Sequence, residues 1–166
     1  MKTRELTIGS MLCACAIILH MLESMIPLPI GIPFFRLGFA NIAGLIALYL
    51  YGPKMMFSVN FIRVFFASLI RGTLFSTGFY LSLCGVFCAT VIACIVYRTK
   101  IFTVYGISML SGVFHAIGQM IAVTFIYQQF FMSALLPMLN LAALASGYLI
   151  GMLSDQVLKR WKGRLE

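Results

Sequence analysis

Long uncharged stretches alternate with short charged or proline-containing segments along this chain. No charged residue occurs from Gly72 to Tyr97 or from Ile101 to Ser154. A membrane-spanning helix needs about 20 mostly apolar residues, so the first stretch has room for one such helix and the second for two. The pattern therefore predicts an all-α integral membrane bundle of about six transmembrane helices.

Prolines, glycines and basic residues mark the ends of these helices, because proline cannot continue a helix and basic side chains favour the membrane interface. The predicted helices cover approximately Leu6–Ile26, Phe39–Tyr51, Lys54–Arg71, Phe79–Tyr97, Thr103–Tyr127 and Met138–Val157. The predicted loops are Pro27–Gly38, Gly72–Gly78 and Gln128–Pro137, and the segment Lys159–Arg164 is a basic tail. The helices use most of the chain, which predicts a single transmembrane domain over residues 1–166.

Composition and charge indicate a membrane environment and an orientation in it. The chain is 62% hydrophobic and 10% charged, whereas soluble domains carry about 25% charged residues. With the N-terminus inside, nine of the 12 basic residues lie on the inner side: Lys2, Arg4, Lys54, Arg98, Lys100, Lys159, Arg160, Lys162 and Arg164. Positive charge stays cytoplasmic, so we predict a multi-pass protein of the bacterial cell membrane with both termini in the cytoplasm. The net charge of +8 then reflects orientation and not nucleic-acid binding.

The groups that catalysis would need are missing from the sequence. Only four acidic residues are present, and no two lie close together as in the carboxylate pairs that hold Mg²⁺ on a diphosphate. There is no GxxxxGK[ST] loop for ATP, and no cysteine pair has CxxC spacing. His20 and His115 have no neighbouring cysteine or carboxylate to complete a metal site. We therefore expect no enzymatic activity, no cofactor and no metal.

Polar residues inside the apolar helices are the candidates for a binding site, because such groups are costly in lipid and usually face the bundle interior. In the fifth helix four of them recur every three or four residues and share one face: Ser108, Ser111, His115 and Gln119. Hydrogen bonding between helices explains such a stripe equally well. Arg63 lies near the middle of the third helix, where an arginine costs about 2.5–3.5 kcal/mol on insertion scales.

The charges predicted in the outer half and core of the bundle favour an anionic ligand. Three arginines, Arg36, Arg63 and Arg71, face a single acid, Glu23. An unpaired buried cation is unfavourable unless water or a ligand compensates it, and a carboxylate or phosphate suits a guanidinium fork. Headgroup contacts of Arg36 and Arg71 are the alternative explanation. The candidate substrate-binding residues are Glu23, Arg36, Asn41, Arg63, Arg71, His115, Gln119 and Asn140.

Two segments carry a resemblance to a known family. The sequence RLGxANI, from Arg36 to Ile42, and HxxGQ, from His115 to Gln119, resemble the Gx transporter family, also labelled heptaprenyl diphosphate synthase component I. That family is distantly similar to the substrate-binding S components of energy-coupling factor (ECF) transporters. These are six-helix proteins that capture a vitamin-like solute from outside, while a membrane coupling protein and ATPases drive uptake.

The resemblance implies two alternative functions. The first is an S-component-like subunit that binds an anionic or vitamin- or isoprenoid-related solute and associates with an ECF-type coupling protein and ATPases. S components often carry an AxxxA pattern on their first helix for docking, and the corresponding spacings here are Ser10/Ala14 and Gly9/Cys13. The second is an accessory subunit of heptaprenyl diphosphate synthase. This subunit would be non-catalytic, because prenyl elongation needs aspartate-rich Mg²⁺ sites and the sequence contains none.

Overall fold

The structure, a computed structural model, describes residues 3–25, 38–128 and 134–162. Over these residues the chain forms six α-helices and no strand. They are α1 (Thr3–Met25), α2 (Asn41–Tyr51), α3 (Pro53–Ile70), α4 (Thr77–Thr99), α5 (Val104–Tyr127) and α6 (Leu136–Lys162). Every helix except α2 is long and apolar enough to cross a membrane, which confirms the predicted all-α membrane bundle.

The sixth helix is longer than predicted, and the second helix is short. The sixth helix was expected to end at about Val157, but α6 continues to Lys162 and takes up the first part of the basic tail. The continuation agrees with the high helix propensity of Leu, Lys and Arg. Helix α2 has 11 residues and is therefore about 17 Å long, roughly half of the hydrocarbon thickness. Most of the predicted first loop and the centre of the loop before α6 lie outside the described residues.

The break between α2 and α3 follows from a Gly-Pro pair. Gly52 caps α2 with φ at 86°, a left-handed conformation that glycine adopts without a steric penalty, and its N–H donates to the carbonyl of Leu48. Pro53 then occupies the first position of α3, where its missing N–H costs nothing. The chain consequently reverses direction within a single residue, and α2 packs directly against α3.

Five helices contact one another in a closed ring, and α1 packs alongside α2 and α3. In the ring α2 contacts α3, α3 contacts α4, α4 contacts α5, α5 contacts α6, and α6 returns to α2. The α4–α5 and α5–α6 interfaces are the most extensive, whereas α1 packs mainly against α2 and α3. Most of the apolar surface of α1 is therefore exposed, as expected of a helix that faces lipid or a partner.

Glycines allow the closest helix contacts. A Cβ added at Gly147 of α6 would lie 2.8 Å from the Cα of Met109, and one at Gly151 would lie 2.9 Å from the Cα of Tyr105. Both positions therefore let α6 touch the backbone of α5, so this pair of small residues packs inside the protein. Gly9 of α1 similarly contacts the sulfur of Met55 on α3.

Candidate functional site: a polar cavity within the helix ring

A polar cavity lies in one half of the bundle and is lined by residues from all six helices. It lies where α1 and α3 approach their C-terminal ends and where α2, α4 and α6 begin. In the predicted orientation this is the outer half of the membrane. The polar side chains that line it are His20, Glu23, Asn41, Arg63, Ser82, His115, Gln119 and Ser146.

Arg63 is the most deeply buried charge in this cavity. Only 2% of the residue is exposed, and its Nη2 donates to Oδ1 of Asn41 at 2.6 Å. Asn41 is the first residue of α2, so this hydrogen bond joins the beginning of α2 to the middle of α3. A guanidinium carries five N–H donors in a rigid fork, so Arg63 brings a positive charge with directional donors to the cavity wall.

The first helix contributes an acid and a histidine to the same cavity. Glu23 is 9% exposed, and one of its oxygens accepts a hydrogen bond from the backbone N–H of Gly38. Gly38 adopts φ of 80° just before α2, so the left-handed turn presents its N–H to α1. His20 precedes Glu23 by three residues and therefore shares its helix face. The contact with Gly38 ties the end of α1 to the beginning of α2.

Two hydrogen bonds to α4 orient the helices that carry the cavity side chains. Nδ2 of Asn60 on α3 donates to Oγ1 of Thr90 at 2.8 Å, and Oγ of Ser111 on α5 donates to the carbonyl of Ala89 at 3.2 Å. Asn60 lies one turn before Arg63, and Ser111 lies one turn before His115. Because residues one turn apart share a face, each bond fixes a helix rotation that directs the next polar residue toward the cavity.

The structure brings together five of the eight predicted site residues, namely Glu23, Asn41, Arg63, His115 and Gln119. Arg71 follows Arg63 by eight residues, about 12 Å farther along the axis and rotated by about 80°. It lies exposed at the C-terminal end of α3 and does not line the cavity.

Asn140 and Arg36 are the remaining two predicted site residues. Asn140 is adjacent to the lining residue Leu139 but does not itself line the cavity. Its Oδ1 is buried with no hydrogen-bond partner in the described part of the chain. Arg36 lies outside the described residues.

The sequence did not identify His20, Ser82 and Ser146 as site residues. For His20 a signal existed, since it lies one helical turn before Glu23. Ser82 and Ser146 carry no comparable signal, because isolated serines are common at helix interfaces in membranes. No group of three or more potential metal-ligating side chains occurs within residues 3–25, 38–128 and 134–162.

The cavity is small. Its volume is about 50 Å³, which is room for roughly three to five water molecules, since each needs about 10–15 Å³ by this measure. A phosphate or a carboxylate has a similar number of heavy atoms, whereas a whole vitamin is much larger. In this conformation the cavity therefore suits a small anionic group or one end of a larger solute.

A second, larger cleft lies in the opposite half of the bundle, between α1 and α3. It encloses about 940 Å³ and runs from Glu5 and Lys54 toward Ile17 and Phe66. The α1 wall is lined by the small residues Gly9, Ser10, Cys13 and Ala14. Glu5 and Lys54 lie at the beginnings of their helices, so this groove opens in the predicted inner half of the membrane.

Fold and site define a multi-pass α-helical membrane protein with a small polar cavity inside its helix ring. The sequence model of the heptaprenyl diphosphate synthase component I family matches residues 12–157. The chain belongs to this family, as the RLGxANI and HxxGQ segments indicated. No curated protein and no solved structure matches the chain.

Proposed function

We propose that the protein is the solute-binding membrane subunit of an uptake system and that it takes an anionic solute from the outer side of the bacterial cell membrane. Arg63 binds the carboxylate or phosphate of this solute. His115, Gln119 and Asn41 provide further hydrogen bonds, and Glu23 is a polar group on the wall formed by α1. The cavity volume of about 50 Å³ limits the group beside Arg63 to the size of a phosphate.

The burial of Arg63 is the observation that carries this proposal. A guanidinium that is 2% exposed has lost most of its contact with solvent, and an arginine near the centre of a membrane helix costs about 2.5–3.5 kcal/mol on insertion scales. Arg63 lies beside a cavity with seven other polar lining residues, and a role in binding a solute there would explain why this cost is tolerated. An anion that enters the cavity forms charge-assisted hydrogen bonds, which are roughly twice as strong as neutral ones.

The groove between α1 and α3 supports the association with a membrane coupling protein. Ser10 and Ala14 are exposed on its α1 wall, one turn apart, and such small pairs allow another helix to approach closely. Gly9 contributes differently, because it already contacts Met55. A coupling protein driven by cytoplasmic ATPases would dock in the inner half of the membrane, where this groove opens in the predicted orientation.

Native mass spectrometry of the protein purified in mild detergent tests the proposed function. We expect a co-purifying small molecule that carries a carboxylate or phosphate and is released on collisional activation. The Arg63→Gln variant should lose this adduct, and the Arg71→Gln variant should keep it. A wild-type protein that carries no adduct and binds neither formate nor inorganic phosphate would contradict the proposal.

A second function is favoured by the name of the matching family, heptaprenyl diphosphate synthase component I. In that case the protein is a membrane accessory subunit for a separate prenyl-elongating chain. A pull-down from native membranes separates the two functions. Recovery of a coupling protein with ATPases supports uptake, whereas recovery of a prenyl diphosphate synthase without them supports the accessory function.

A further inference from the structure

Gly85 on helix α4 faces the side chains of His115 and Gln119 on α5. A Cβ added at Gly85 would lie 2.8 Å from Cγ of Gln119, 2.9 Å from Cε1 of His115 and 3.0 Å from its Nε2. Both side chains therefore lie directly over the backbone of α4 at this residue. Real Cβ atoms almost never approach other atoms so closely, and any side chain at position 85 would displace one or both of these neighbours.

A displacement of these two side chains would alter the cavity. His115 and Gln119 line it, and so do Ser82 and Val86 of α4, so Gly85 lies beside the cavity wall. Because the cavity holds only about three to five water-sized groups, movement of either side chain into it by about one methyl group removes a substantial part of its space.

We propose that Gly85 is a specificity-determining position that sets the size of the cavity by holding His115 and Gln119 back against α4. This inference rests on the proposed anion-binding function for its consequence, which is a limit on the size of the anion beside Arg63. Glycine is the residue that provides this space, because its side chain is a single hydrogen.

The test compares Gly85→Ala with Gly78→Ala in lipid nanodiscs. Gly78 lies on the same helix, and a Cβ there would meet only Oγ of Ser76 at 3.7 Å, an ordinary contact. The probes are formate and inorganic phosphate, titrated by calorimetry. Gly85→Ala should weaken phosphate binding at least tenfold, since one methylene in a fitted pocket is worth about 10–200-fold, and should affect the smaller formate less. Gly78→Ala should leave the ratio of the two affinities unchanged.

A second variant distinguishes a loss of space from a general loss of structure. Gln119 provides the closest contact, so Gly85→Ala should weaken phosphate binding less in a Gln119→Ala background than in the wild type. This comparison allows for the hydrogen bond to the anion that Gln119→Ala itself removes, and general unfolding would not be corrected by a second truncation. An unchanged phosphate-to-formate ratio in Gly85→Ala, or an equal loss in the two backgrounds, would overturn the proposal.

A ligand-independent measurement separates this inference from the proposed function. The chain has two histidines, so ¹⁵N-histidine labelling gives two imidazole sets that His20→Gln assigns. Gly85→Ala should shift the His115 signals more than those of His20, and Gly78→Ala should shift neither. If the wild type binds neither anion, the proposed function fails while the His115 signals still decide whether Gly85 sets the cavity. Unmoved His115 signals would refute its role.

Discussion

Replacing Arg63 by glutamine should abolish most of the anion affinity while leaving the protein folded. Glutamine removes the positive charge from a position that is 2% exposed and leaves a neutral, polar side chain there. It is shorter than arginine, so the 2.6 Å hydrogen bond to Oδ1 of Asn41 is weakened or lost. Thermal unfolding of the variant measures that structural cost apart from the loss of anion affinity.

The expected loss of phosphate affinity follows from the hydrogen bonds that the guanidinium makes to an anion. A hydrogen bond to a charged group contributes about 1.5–3 kcal/mol, and each 1.4 kcal/mol corresponds to a tenfold change in affinity. One such bond lost on substitution should weaken phosphate binding by about 10- to 150-fold. Arg63→Lys should lose part of this affinity, because lysine keeps the charge without the planar fork.

The assay is calorimetric titration of inorganic phosphate into the protein in lipid nanodiscs, with thermal unfolding as a check of folding. Arg71→Gln is the matched control, since this arginine lies on the same helix but is exposed and does not line the cavity. It should bind phosphate like the wild type. Equal affinity of Arg63→Gln and the wild type, or an equal loss in both glutamine variants, would refute the reasoning.

Three further predictions follow from the fold and the sequence. Gly147→Ala should destabilise the protein by about 1–3 kcal/mol, because the added Cβ would lie 2.8 Å from the Cα of Met109; thermal unfolding checks this against Gly78→Ala, which should be nearly neutral. Reporter fusions at the two termini should both give cytoplasmic signals, and an extracytoplasmic C-terminus would contradict the predicted orientation. The purified chain with Mg²⁺, farnesyl diphosphate and isopentenyl diphosphate should form no longer prenyl product, and robust turnover would contradict the predicted lack of enzymatic activity.

The helices could be predicted from the sequence because the lipid imposes one strong rule. Backbone polar groups have no water to bond in the hydrocarbon region, so an apolar stretch of sufficient length must be helical. The end of α2 at Gly52-Pro53 could be predicted equally well, since glycine and proline each have a specific effect on the backbone. The end of α6 was less predictable, because basic residues are good helix formers and continue a helix beyond the apolar stretch.

The site was only partly predictable, for a reason that also concerns the lipid. In a soluble bundle the apolar face of a helix points inward, but in a membrane the outward face is apolar as well, so hydropathy does not identify the interior. Arg63 and His115 were found because charged and polar groups are costly in lipid. Arg71 met the same criterion, yet its position at the end of α3 lets it remain exposed. Gly85 has no signal in the sequence, because its effect depends on which residues of α5 it faces.

The buried arginine bears on the choice between the two proposed functions. An accessory subunit that only recruits a soluble synthase needs an accessible surface, and for it the buried guanidinium would serve only the hydrogen bond that joins α2 to α3. A solute-binding subunit needs such a group, because a desolvated cation attracts an anion more strongly than an exposed one. The cavity thus argues for solute binding even in a family named for a synthase component.

The two functions need not exclude each other, because the cavity and the groove lie in opposite halves of the bundle. Arg63 and His115 line the first, whereas Lys54 and Ser10 line the second. A partner docked in the groove would leave the anion site open toward the other side of the membrane. Substitutions in the two regions should therefore act separately: Ser10→Leu should weaken partner recovery without altering phosphate affinity, and Arg63→Gln should do the reverse. Loss of both properties in either variant would show that the two regions are coupled.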